Sequence, residues 1–412
     1  MSSSSRNAVR STLLLSLAAA PAAWAQQTYF IPNVETSAEW NTNRELQPDD
    51  SRKDSSSAYR GTAEARWGIR TPRSETVLRP RVTYQEFPDR SGVDPLNFST
   101  DLRSEREGLR ASYELFSRYE QEDTYVAEYG EATFDPNDPN NGPDGDTGIV
   151  FAGDTRKRFR FEPSVDYKLT ELTKVGARVK YDTQDYERDL TGSRVGYDSE
   201  HIDLELIRQM GPRTQISFGP YYDNYKSDLD DKSKGYGAIA GWRRNWTEFS
   251  DSAVSIRAEH TDVTDVTRAG AIVEGTSTNW GLEFNGRRRD ELGTLRYSVG
   301  RFLAPSSLGG RLQSDQVRVQ YDRPLSPRTT VSGAARYNKD SRIGGDGLAD
   351  DFPDRTRVYA EFYLRNYLTR EWYLTGGYRY GMLDNGSTFG TGQNHAIYLT
   401  VGFQGLTPPT NR

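Results

Sequence analysis

From Arg158 to Leu169 the chain reads RFRFEPSVDYKL, with Phe159, Phe161, Pro163, Val165, Tyr167 and Leu169 alternating with Arg158, Arg160, Glu162, Ser164, Asp166 and Lys168. A strand points successive side chains to opposite faces, so one face here is apolar and the other charged. Such a strand needs two solvents. In a soluble sandwich the apolar face meets a second sheet; in a transmembrane barrel it meets lipid while the charges line a wet lumen.

The same design recurs. KVGARVKYD sets Val175, Ala177, Val179 and Tyr181 against Lys174, Gly176, Arg178, Lys180 and Asp182, and SAYRGTAEARWGIR sets Tyr59, Gly61, Ala63, Ala65, Trp67 and Ile69 against Arg60, Thr62, Glu64, Arg66, Gly68 and Arg70. Tight connections such as TPRSE, MGPRT, PLSPRT and YLTREW alternate with long polar ones such as NTNRELQPDDSRKDSSS and NKDSRIGGDGLADDFPD. Strands near ten residues long with alternating turn lengths fit a barrel better than a tandem sandwich. The expected fold is all-β: a single transmembrane antiparallel up-and-down β-barrel of about 18 strands (roughly 16 to 18), with short periplasmic turns and long extracellular loops. Pro80 and Pro163 each remove a ladder hydrogen bond and are expected to mark bulges.

Composition agrees with this choice. Only 34% of residues are hydrophobic, and no apolar run is long enough for a membrane-spanning helix. The apolar run Leu13–Ala20 follows Arg6 and Arg10 and precedes Ala23-Trp24-Ala25, the pattern of a cleaved secretory leader over residues 1–25. The barrel is then expected over 26–404, with 405–412 a short periplasmic tail, in the outer membrane of a Gram-negative bacterium. Cysteine is absent, so no disulfide staples the exported chain. Tyr (25), Phe (16), Trp (7) and Gly (37) suit strands, interfacial aromatic belts and tight turns. A net charge of −6 argues against a nucleic-acid partner.

Catalytic chemistry finds little support. His260 and His395 fall on the lipid-facing parity, whereas His201 shares the inward face with Asp203 and Glu205. That set reads as an acid/base cluster, a metal site or simply a charged lumen wall. Neither a G-x-S-x-G serine nor a cysteine offers a nucleophile, so no catalytic residue, cofactor or resident metal is assigned. Asp135, Asp138, Asn140, Asp144 and Asp146 offer oxygen ligands suited to calcium, without EF-hand spacing. The segment Asp135–Gly153 is also long enough to fold inward as a plug.

The stronger signal is collective. Arg66, Arg81, Arg110, Arg158, Arg160, Arg178, Arg257, Arg296, Arg318, Arg336, Arg357, Arg365 and Arg379 all take the inward parity and form the expected solute path. Guanidinium forks suit carboxylates, phosphates and sugar hydroxyls. Glu64, Glu114, Glu162, Asp166, Glu205, Glu259, Glu283 and Glu361 accompany them, and inward Tyr359, Tyr363, Tyr373 and Tyr398 offer stacking platforms. So many ionised groups keep the interior wet.

The hairpin repeats, the Arg- and Tyr-rich inward faces and the terminal strand NHAIYLTVGF, with Ile397, Leu399, Val401 and Phe403 on one face, resemble the beta-barrel porin 2 family of outer-membrane proteins over Gln26–Gln404. Members of that family often accompany exopolysaccharide synthesis and export. The resemblance implies a porin-like channel passing an anionic exopolysaccharide or another polar solute. Its expected partners are outer-membrane lipid and lipopolysaccharide, together with periplasmic polysaccharide-export components. A general diffusion porin, a structural or adhesive barrel, and a barrel-borne hydrolase are the competing readings.

Overall fold

The computed structural model describes residues 26–406 apart from 49–54, 90–91, 129–153, 188–193, 267–271, 308–309, 344–353 and 387–389. The leader, the Asp135–Asp146 calcium candidate and the Asp135–Gly153 plug candidate lie outside the described residues.

The chain forms strand after strand. The first six are β1 Gln27–Asn41, β2 Ser56–Thr71, β3 Ser74–Glu86, β4 Leu96–Glu107, β5 Ala111–Asp123 and β6 Thr155–Lys168. Next come β7 Thr173–Tyr186, β8 Tyr197–Gly211, β9 Thr214–Ser227, β10 Lys232–Thr247, β11 Ser250–Val266 and β12 Ile272–Arg289. The last are β13 Thr294–Pro305, β14 Arg311–Ser326, β15 Thr329–Arg342, β16 Arg355–Tyr367, β17 Trp372–Asp384 and β18 Thr391–Gln404. One short helix, α1 Thr124–Ala127, follows β5.

Each strand pairs antiparallel with its sequence neighbours, and β1 pairs with β18, closing an 18-stranded ring. Closure runs from Asn33↔Gln404 to Asn41↔Ala396. In a ring every strand has two neighbours, and wherever both ladders run they satisfy the backbone that lipid would leave unbonded. Tight turns after β2, β4, β6, β8, β10, β12, β14 and β16 gather at one end with Gln27 and Gln404; the longer connections gather at the other.

Burial is inverted relative to a soluble domain. Phe30 (62% exposed), Phe218 (62%), Phe362 (57%), Ile397 (58%) and Leu399 (53%) face outward, while Arg318 (1%), Arg336 (2%), Asn338 (1%) and Asp340 (2%) are buried inside. Exposed apolar side chains on this scale require an apolar surrounding medium.

The prolines do not mark bulges. At Pro80, at Pro163 and again at Pro220, adjacent ladder pairs are missing from β2–β3, β6–β7 and β8–β9, and the register on either side is unchanged. Each proline removes a donor without inserting a residue, and the neighbouring pairs hold the register. The actual register shifts lie beside the tight turns, at Gln209/Gly211, Asn245/Thr247 and Pro324/Ser326.

Inward tyrosines lie across glycines of the next strand. Tyr29 faces Gly68 and Tyr398 faces Gly377, and a Cβ on either glycine would collide with the ring. The missing side chain lets the ring lie flat on the wall, which links the abundance of Tyr to that of Gly.

Candidate functional site: the charged lumen wall

Cross-strand register places twelve of the thirteen selected arginines on the inward face: Arg66 opposes inward Ile31, Arg81 opposes Glu64, Arg160 opposes Asp182, Arg257 opposes Gly281 and Arg318 opposes Arg336. Arg110 is different. It lies in the Gly108–Arg110 turn between β4 and β5, exposed, with its carbonyl accepting from Lys168 N, so it is a rim residue rather than a wall residue. The strand ends one residue short of it because Gly108 N closes the turn on Ala111 O.

Many of these arginines are held by carboxylates. Arg81 Nε donates to Glu64 at 2.9 Å, Arg158 grips Asp182 through two bonds of 2.9 and 2.6 Å, and Arg296 pairs with Asp322 at 2.8 Å. Arg178 pairs with Asp203 at 3.1 Å and with Glu205. Arg357 pairs with Asp340 at 2.5 Å, and Arg379 bridges Glu361 (2.9 Å) and Glu39 (2.8 Å). Arg365 instead donates to Thr375 Oγ1 at 3.1 Å and lies 4.5 Å from the Tyr373 ring. Such pairs tie neighbouring strands together, and being partly buried they are less screened than surface pairs.

Arg66 and Arg257 have no hydrogen bond or ion pair to any described residue. They stand on β2 and β11, half the ring apart. Arg66 is exposed and Arg257 half-buried.

Two sectors differ in sign. On the rungs of β14–β16 nearest the long loops, Arg318, Arg336, Arg355 and Arg357 accompany a single inward carboxylate among the described residues, Asp340. On β8–β11 the inward carboxylates Asp203, Glu205, Asp223 and Glu259 outnumber the inward Arg257, with His201 among them. His201 Nδ1 lies 2.8 Å from Asp223 and its Nε2 lies 3.6 Å from Asp203, so the histidine is engaged within this wall. Among the described residues no group of His, Asp and Glu has the arrangement of a metal site. His260 and His395 lie on the outward face beside Tyr236 and Tyr378.

The connection between β13 and β14 does not follow the wall upward. Tyr225 OH on β9 donates to Ser306 O at 2.8 Å, Gln184 Nε2 on β7 donates to Ser307 Oγ at 2.6 Å, and Val195 N donates to Ser307 O at 2.7 Å. Arg311, at the start of β14, pairs with Glu259 on β11 at 2.6 Å and lies 3.6 Å from Asp223. The chain therefore reaches inward across several strands, and Ser306 and Ser307 are fully buried. The register agrees: β12–β13 pairing stops at Leu282↔Arg301, leaving β12 without β13 above that rung. A second inward structure is α1. Asp123 caps it, accepting from Tyr125 N at 2.8 Å, and Tyr125 packs edge-on against Phe87 while the Arg44 guanidinium lies 4.9 Å from the Phe87 ring and 5.3 Å from that of Tyr125. The long-loop mouth is thus narrowed from two sides.

Sequence parity missed Arg311, Arg44 and the serines, because they act from strand ends and connections where alternation stops. It also passed over Arg79 and Arg118, which both bond Asp101, Arg118 Nε at 2.6 Å. Their strands show the alternation, and cross-strand pairing of β3, β4 and β5 would have exposed the triad. An apolar groove of about 560 Å³ lined by Phe30, Ala65, Trp67, Leu78 and Pro80 lies on the outward face, away from the lumen.

No protein-family model matches the chain, and no curated protein sequence matches it, so the likeness to the beta-barrel porin 2 family remains a resemblance. Solved structures similar to it include Pseudomonas aeruginosa OccK8 (OprE), at 11% identity over 92% of this chain and 98% of that one, with a TM-score of 0.42. Acinetobacter baumannii OccAB1 is 9% identical over 92% and 96%, with a TM-score of 0.44. The FrpB iron transporter from Neisseria meningitidis is 8% identical over 90% and 81%, with a TM-score of 0.43. Likeness at this level leaves the solute of the present barrel open.

Proposed function

We propose that this protein is a porin-like outer-membrane channel whose arginine-bearing lumen passes polar, preferentially anionic solutes. The observation that carries the proposal is the pair of unclaimed guanidinium groups, Arg66 and Arg257, on opposite walls of a closed ring with a charged interior. A barrel of this strand number has room for an aqueous passage, and charged side chains within it tune selectivity. Tight turns at one end and long connections at the other support a periplasmic and an extracellular end, respectively.

The lumen-crossing contacts of Ser306, Ser307 and Arg311 favour small polar solutes over a bulky chain. An anionic exopolysaccharide, with periplasmic export components to deliver it, is the finer reading, and it needs those contacts to open. Single-channel recording on the refolded mature chain tests both. Steady conductance with chloride favoured over potassium supports the channel; silence at all voltages sinks it. Block of that current by an anionic polysaccharide added from the periplasmic side supports the polymer reading, and undisturbed current removes it.

A further inference from the structure

The tight-turn rim carries arginines that the lumen does not use. Arg73, Arg110, Arg213, Arg328 and Arg370 lie exposed in or beside the turns, and none forms an ion pair with a described residue. At the opposite end the outward lysines have carboxylates across the ladder: Lys226 opposes Asp198 and Lys234 opposes Asp262. The same tight turns also carry Glu171, Asp290 and Glu291, and an arginine surplus remains there.

At one place it is organised. Trp246, at the end of β10, donates its indole N–H to Ser252 Oγ at 2.8 Å, which fixes the ring on β11. Arg244 places its guanidinium 4.4 Å from the centre of that ring. Arg213, from the β8–β9 turn, donates to Trp246 O at 3.0 Å and so approaches the same residue. Trp242 packs edge-on at 6.0 Å. Glu248, in the adjoining turn, is exposed and pairs with neither arginine. Two cations are thus held beside an indole whose body is apolar and whose N–H is already spent, on the outer surface where the apolar belt ends. Arginine forks bind phosphate oxygens in pairs, and an interfacial tryptophan sets their depth at the headgroup layer.

We propose that Arg213, Arg244 and Trp246 form a binding site for the phosphate headgroup of an anionic phospholipid in the inner leaflet of the outer membrane. The site rests on the outer-membrane reading given above. Its phosphodiester is gripped by the two guanidinium groups, while the acyl chains run along the apolar outer face past Trp242 and Phe218.

Native mass spectrometry of the refolded mature barrel, exchanged from mixed micelles holding equal phosphatidylglycerol and phosphatidylcholine, tests the assignment. The expected result is a retained phosphatidylglycerol adduct roughly fivefold more populated than the phosphatidylcholine one, the scale of one interfacial cation at a charged headgroup. Arg213→Gln with Arg244→Gln should bring the two adducts to parity. Arg73→Gln with Arg110→Gln, which removes the same charge from turns that contain no tryptophan, should leave the preference intact. No preference in the unchanged chain, or equal loss in both variants, overturns the site in favour of diffuse rim charge. Heat-modifiable migration on gels reads folding in every sample. A barrel that migrates as folded but never conducts counts against the channel reading alone, whereas one that never inserts into bilayers overturns the membrane reading and this site with it.

Discussion

The β14–β16 wall and the β8–β11 wall are made by one rule of alternation and yet carry opposite charge. In the first, Arg318 stands directly across from Arg336, both almost fully buried, with Arg355 and Arg357 on the next rungs. In the second, Asp203, Glu205, Asp223 and Glu259 cluster on strands that also carry His201 and Arg257, and they are held by His201, by Arg178 from β7 and by Arg311 from the base of an inward-folded connection. The acidic wall uses its charge to anchor a crossing segment. The basic wall keeps an excess of guanidinium over the carboxylates of its own strands. Like charges set directly opposite across a ladder cost stability and are retained where something else uses them.

The largest expected effect is at this basic wall. Arg318→Gln with Arg336→Gln should lower the chloride-to-potassium permeability ratio by about tenfold, equivalent to about 1.4 kcal/mol, measured as a reversal-potential shift under a salt gradient. An unchanged ratio would mean that these buried groups are structural and that selectivity lies elsewhere. The acidic wall should answer differently. Glu259→Gln removes the carboxylate that Arg311 and Tyr221 both bond, so it should loosen the β13–β14 connection at a cost of about 1–3 kcal/mol. The expected readouts are larger and noisier conductance and faster proteolysis near Ser306, with little change in sign selectivity.

How far the sequence foretold these walls depends on the residue. The outward belt, strand order and inward parity of twelve arginines follow from period-two alternation, because a one-residue slip would turn every charge into lipid. The sign of a wall does not follow. It is set by which strands lie side by side at which height, and by residues such as Arg311 that enter from a neighbouring connection. Arg110 shows the boundary of the method: its parity is inward, but Gly108 ends the strand before parity can act. The prolines show another, since Pro80 and Pro163 open gaps in their ladders that neighbouring pairs bridge without a bulge.

Arg257 belongs to the acidic wall, on β11, and Arg66 to β2, outside both walls; neither has an ion pair among the described residues. Arg66→Ala and Arg257→Ala should each reduce anion current by roughly twofold while leaving thermal stability unchanged, because a guanidinium without an ion pair at a wet wall contributes through weak, water-screened attraction. Single-channel current in symmetric chloride checks the first part, and heat-modifiability on gels checks the second. A drop in stability would show that these residues hold the ring together as the paired arginines do.

A last substitution separates the crossing segment from the charge that anchors it. Tyr225→Phe keeps the buried ring and its contact with Tyr197 at 5.7 Å but deletes the hydroxyl that donates to Ser306 O. Among the described residues the loss is one buried hydrogen bond, about 0.5–1.5 kcal/mol, against the stronger Arg311–Glu259 anchor, which stays in place. Brief open events should therefore become about two- to tenfold more frequent, while the mean current and the chloride preference are unchanged. If Tyr225→Phe instead changes selectivity as much as the Arg318 and Arg336 pair does, the crossing segment rather than the basic wall sets the charge at the narrowest point, and the contrast between the two walls becomes a contrast between wall and gate.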